Sequence, residues 1–154
     1  MTKEQIEHEI LRLLRSTERE GMDGVIDYLN RSDFFQAHCH SHHRRIGGLA
    51  QHSLEACQYA LSHREELPRS SVIIGTLLHD ICTSHHADAR GIRGHGNRSV
   101  DILRDICGLQ LTSAESEAIR LHMHGSAPEM RTNRLARLVW LADKVSAGNR
   151  VHLH

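Results

Sequence analysis

Residues 72–82 read VIIGTLLHDIC. Val72, Ile73, Ile74, Leu77 and Leu78 leave no polar face over two helical turns, and a helix that is apolar all round belongs in the middle of a protein. The run is too short for a bilayer, which takes about 20 apolar residues. It ends on His79 and Asp80 and returns at once to Ile81 and Cys82. A carboxylate sent inward among such neighbours is costly unless something compensates it or shifts its pKa until it neutralises.

Outward from this stretch the apolar spacing is helical almost throughout, and only two prolines occur. Thr2 and Gln5 form a capping box for a helix with Ile6, Ile10, Leu13 and Leu14 on one face. Gly21 and Gly24 mark a break before a short helix carrying Val25, Ile26 and Leu29. Residues 36–48 hold HCHSHHRRIGG and read as a loop. A helix from about Leu49 to His63 follows, ending near Pro68, and Ser70 or Ser71 is placed to cap the central helix. Beyond Cys82 comes a glycine-rich connection, TSHHADARGIRGHG, then a helix through SVDILRDIC that Gly108 stops. Thr112 and Glu115 open a further helix through Ile119 and His122, closed by Gly125 and Pro128, and the last helix covers Asn133 to Ala147. The spacing predicts an all-α, single-domain chain: N-terminal helices over 1–35, a His-rich loop over 36–48, a helical core over 49–147 and a tail over 148–154. With 3% aromatics, the core is expected to be Leu, Ile, Val and Ala.

Lys and Arg number 19 and Asp and Glu 19, so no basic excess is available to grip long nucleic acid without regard to sequence. The N-terminal MTKEQIEHEI lacks the apolar core of a signal peptide, and no segment has the length of a membrane span. The cysteines Cys39, Cys57, Cys82 and Cys107 form no CxxC pair; three read as small buried hydrophobes, and a reducing cytoplasm is the expected compartment.

The chain has 15 histidines, and their position matters more than their number. His52 shares a helix face with Leu49, Ala56, Tyr59 and Ala60, and Asp143 shares one with Val139, Trp140 and Ala147. His122 has Ala118 and Ile119 one turn behind it. One inward histidine is ordinarily a hydrogen-bonded core residue. Five ionisable groups directed inward from four elements, with no Lys or Arg on those faces, call for a divalent cation. It pairs with the carboxylates and accepts imidazole lone pairs.

GGLAQHSLEA with His52, TLLHDIC with His79 and Asp80, GHGNRSVDIL with His95, AIRLHMH with His122 and LADKVSA with Asp143 together resemble the HD-domain superfamily of metal-dependent phosphohydrolases. The lead-in GMDGVIDYLNRSDFF is similar to that of small bacterial and phage HD proteins and of the HD module of 3′-to-5′ exoribonucleases. The resemblance implies a helical bundle with a central metal site. His52, His79, Asp80 and Asp143 would hold one ion, with Asp80 bridging to a second ion on His95 and His122. Mixed nitrogen and oxygen donors admit Mn, Fe, Mg, Ni or Co. Two ions about 3.5–4 Å apart lower the pKa of a bridging water and neutralise charge on a phosphoryl oxygen. The expected substrate is a small phosphorylated molecule, nucleotide-like, or a nucleic-acid 3′ end; a homo-oligomer is compatible with all of this. Two other readings fit the same ligand order: a di-iron oxygenase of this fold, and a binding module that keeps metal without turnover.

The chain departs from the family at Thr83, where many relatives carry a phosphate-pairing lysine, and at His124, where a glycine often follows HM; no GYP signature follows His79–Asp80. His42, ten residues before His52, reads as a substrate contact or proton donor to a leaving group, or else as a solvated loop histidine. Arg44, Arg45 and Lys144 are candidate phosphate contacts, and with Asp80 and His42, Lys144 completes the candidate catalytic residues. Arg93 and Arg98 flank His95, and His85 and His86 fall at the expected pocket rim. His38, His40 and His43 read as solvated, and Cys39 with His40 and His43 matches no structural-zinc spacing.

Overall fold

The computed structural model describes residues 1–39, 42–82 and 94–148. The connection after Cys82, with Thr83, His85, His86 and Arg93, lies outside the described residues, as do His40 and the end of the tail from 149 onward. Seven α-helices and no strand occur among those described: α1 (Lys3–Ser16), α2 (Met22–Arg31), α3 (Gly48–Ser62), α4 (Arg69–Leu78), α5 (His95–Asp101), α6 (Ser113–Arg120) and α7 (Arg134–Ser146). None is long and apolar enough to cross a membrane.

α4 lies at the centre, packed against α1, α3, α6 and α7. Every residue from Ser71 to Leu78 is buried, as the unbroken apolar run requires. Burial of each large side chain, such as Ile73 or Leu77, contributes about 1.5–3 kcal/mol. Close crossing with α7 depends on Gly75, where a Cβ would stand 2.9 Å from Val139 Cγ2.

The expected capping boxes are present, Thr2 with Gln5 on α1 and Thr112 with Glu115 on α6, and the Asn133 side chain caps α7. Other expectations need correction. Pro68, not Ser70 or Ser71, precedes the first residue of α4, and the Ser71 hydroxyl instead donates to Glu115 Oε2 at 2.6 Å. Glu115 is wholly buried and also accepts from Arg19 Nη2 at 2.8 Å, so one carboxylate joins α4 and α6 to the link after α1. α6 ends at Arg120, leaving His122 in the following turn, and Pro128 starts a 3₁₀ turn over Pro128–Arg131. α5 runs into a π-helical turn, Ile102–Ile106, before Gly108 takes φ +76°. The core is not purely aliphatic: Phe34 and Phe35 are buried edge to face, 5.3 Å between ring centroids.

All four cysteines are free. Burial pushes the thiols of Cys57, Cys82 and Cys107 up to about 11 and that of Cys39 to about 12. None is an activated thiolate at neutral pH.

Candidate metal centre

Three helices and the turn after α6 bring polar groups together. His52 comes from α3, His79 and Asp80 from the C-terminal end of α4, His122 from the turn beyond α6 and Asp143 from α7. His52, His79, Asp80 and Asp143 each offer a ligand atom within 4.8 Å of the other three. His52 and His79 are wholly shielded from solvent, and His122 almost so.

The orientation of each ring follows from what its Nδ1 touches. His79 Nδ1 lies 2.6 Å from the Thr76 carbonyl and His122 Nδ1 lies 2.7 Å from the Ile119 carbonyl. A carbonyl oxygen only accepts, so both Nδ1 atoms carry the proton. His52 Nδ1 is 2.9 Å from Ser146 Oγ. That hydroxyl directs its own proton to the His52 carbonyl at 3.1 Å or Glu55 Oε2 at 3.2 Å, so its oxygen accepts from His52. In the neutral rings all three Nε2 atoms therefore hold lone pairs.

Those lone pairs face oxygen. His52 Nε2 is 2.8 Å from Asp143 Oδ1, and His79 Nε2 is 3.2 Å from the same atom and 3.1 Å from Asp80 Oδ2. His122 Nε2 is 3.1 Å from Asp80 Oδ1. Acceptors aimed at one another repel unless a positive charge lies among them. Donors bound at about 2.1 Å to one octahedral cation stand about 3 Å apart along each edge. The donor set fits a divalent ion.

Without an ion only protons can take its place. Burial pushes the His79 imidazole down, but the carboxylates of Asp80 and Asp143 outweigh this and raise it well above its ordinary value. Burial would raise both carboxyls, yet His79 and His122 hold Asp80 well below the usual range, and His52 and His79 do the same for Asp143. Both carboxylates are thus ionised.

His95 opens α5 and is half-buried. Neither it nor His122 belongs to the group of ligand atoms that His52, His79, Asp80 and Asp143 form. α5 is nonetheless tied to the centre one turn later: Ser99 Oγ donates to the His79 carbonyl at 2.8 Å and accepts from Cys82 N–H at 3.2 Å.

The His-rich loop departs most from expectation. His43 is not a solvated residue: its side chain is 14% exposed, and Nε2 lies 3.0 Å from Glu55 Oε2. His42 Nδ1 is 2.7 Å from His43 Nδ1, and its ring centroid is 4.4 Å from that of His52. Burial, with His52 and His43 nearby, pushes His42 down to about 4. The loop can lie this close to α3 because Gly48 has no Cβ, which would stand 1.8 Å from the His43 carbonyl oxygen. Arg44 and Arg45 are exposed and, with His42, His43 and residues 146–148, line an open concavity of about 550 Å³. Lys144 is half-buried on α7 beside Asp143. Sequence reading missed Ser146 and Glu55; each lies three residues after a ligand on the same helix, the spacing that points two side chains one way.

Among curated proteins and among solved structures, nothing matches the chain significantly. A family model does match: the HD domain, over residues 49–148, about two thirds of the chain and the whole span from α3 to α7. The order in which the helices deliver His52, His79, Asp80, His122 and Asp143, and the family match across the same residues, place this chain in the HD-domain superfamily of metal-dependent phosphohydrolases.

Proposed function

We propose that the protein hydrolyses a phosphate ester, a phosphomonoester or phosphodiester of a nucleotide or a nucleic-acid end. The observation that carries this reading is the convergence of the His52 and His79 lone pairs and the Asp80 and Asp143 carboxylates on one buried point, with His122 on the other oxygen of Asp80. A divalent ion bound there supplies Lewis acidity, lowering the pKa of a water and offsetting charge on a phosphoryl oxygen.

His52, His79, Asp80 and Asp143 would hold the first ion. The two Asp80 oxygens face different imidazoles, Oδ2 toward His79 and Oδ1 toward His122. That division supports a second ion that Asp80 and His122 would hold together, with His95 as the family resemblance implies. Mn, Fe, Mg, Ni and Co remain the candidates. His42 sits beside His52 at the edge of the concavity, where Arg44 and Arg45 would meet phosphate oxygens and Lys144 would add charge from α7. A concavity of this size and a chain of zero formal charge favour a small substrate over a long polymer.

The test is phosphate release from a panel of nucleotides and model diesters by protein loaded with each candidate ion. Turnover that is metal-dependent and lost in Asp80→Ala is expected. Chelator-insensitive release, or no turnover with any ion, contradicts the proposal. Running the assay under nitrogen separates it from an oxygenase, which cannot work there.

A further inference from the structure

A hydrogen-bonded chain leads from the ligand His52 to residues outside the ligand set. Glu55 on α3 accepts from His43 Nε2 at 3.0 Å, and His43 Nδ1 faces His42 Nδ1 at 2.7 Å. The same Glu55 oxygen accepts from Ser146 Oγ at 3.2 Å, and Ser146 accepts from His52 Nδ1 at 2.9 Å. One carboxylate thus anchors two imidazoles through two intermediaries. Gln51 Nε2 donates to its other oxygen at 2.9 Å. Burial would raise the Glu55 carboxyl, but the bonds from His43, Gln51 and Ser146 outweigh it and hold it ionised.

Tautomers propagate along such a chain. An ionised Glu55 offers no proton, so His43 must donate from Nε2. A neutral His43 then has only a lone pair on Nδ1, and the 2.7 Å contact is a hydrogen bond only if His42 carries its proton on Nδ1. His42 Nε2 is left with a lone pair. We propose that His43 and Glu55 are positioning residues that lock His42 as a neutral hydrogen-bond acceptor beside the metal centre. In that tautomer His42 offers Nε2 as an acceptor and not as a donor. It selects a ligand that presents a proton donor at that edge, such as a water or a hydroxyl.

What His42 faces rests on the proposed metal centre; its tautomer does not, and the two are tested apart. Long-range proton–nitrogen NMR correlations on histidine-labelled, metal-free protein, at mildly alkaline pH, report which nitrogen of each ring is protonated. The expected spectrum shows His42 protonated on Nδ1 and His43 on Nε2. Glu55→Gln presents an amide that can donate to His43, and it should move the His42 proton to Nε2; Glu55→Asp should restore the original pattern. His42 protonated on Nε2 in the unaltered protein, as a doubly protonated His43 would impose, overturns the proposal. So does a His42 tautomer that Glu55→Gln leaves unchanged.

Discussion

Ser146 shows how a single hydroxyl sets the chemistry of a buried ring. Its oxygen is the acceptor for His52 Nδ1, and His52 is fully shielded from water. Ser146→Ala leaves that N–H without a partner, which should cost about 1–3 kcal/mol of stability. Loss of such an orienting partner typically weakens metal affinity about 10–100-fold. Urea unfolding of the metal-free protein reads the first effect and competition against a chelator reads the second; an unchanged affinity would contradict the role given to Ser146.

The residue scale also fixes a pH dependence. In the metal-free fold His79 titrates well above the value of about 6.5 expected when unfolded. Its contribution to stability is full below that unfolded value and is lost as pH rises through the raised folded value. Asp80 and Asp143, both depressed, contribute above about 3.9 and lose that contribution as pH falls through their folded values. Metal-free protein should therefore lose stability on the alkaline side, where the imidazolium is lost and lone pairs face one another. An added ion replaces that charge. Thermal unfolding with and without metal should show a difference in Tm that widens as pH rises; a difference that shrinks would contradict the lone-pair arrangement.

At the scale of elements, α4 was legible from its composition alone. An apolar run with no polar face can only be central, and Ser71 through Leu78 are all buried. Caps were legible where two side chains answer each other's backbone three residues apart, as Thr2 with Gln5 and Thr112 with Glu115 do; Asn133, read as part of the last helix, is instead its cap. Ser71 was not legible. Its hydroxyl is taken by Glu115, 44 residues away in sequence, and no local pattern reports such a partner. The end of α6 before His122 and the π turn at Ile102–Ile106 likewise carry no local sequence signal. His43 was misread for the same reason: loop histidines carry no periodicity, and its burial depends on Glu55 and on the close approach at Gly48.

Two substitutions test how the elements are held. Gly75→Ala puts a Cβ 2.9 Å from Val139 Cγ2 at the α4–α7 crossing and should cost about 1–3 kcal/mol as the helices separate. Arg19→Ala leaves the wholly buried Glu115 without its cation, which should cost about 3 kcal/mol or more. Denaturant midpoints measure both; a neutral Arg19→Ala would mean the pair is not needed to offset the buried carboxylate.

For the whole molecule, folding and metal binding are one equilibrium. The ligands come from α3, α4, α7 and the turn after α6, so an unfolded chain offers no comparable site. An ion at 100 times its Kd should therefore add about 2.7 kcal/mol to the unfolding free energy. The balance of 19 acidic and 19 basic residues leaves this local charge, rather than any overall field, as what draws a cation. The most direct measurement is equilibrium dialysis of the full chain against a divalent ion, followed by metal analysis, for the unaltered protein and for Asp143→Ala. At least one tightly held ion per chain that Asp143→Ala loses is the predicted result. A chain that retains no ion, or one whose ion survives Asp143→Ala undiminished, would contradict a metal centre built on these residues.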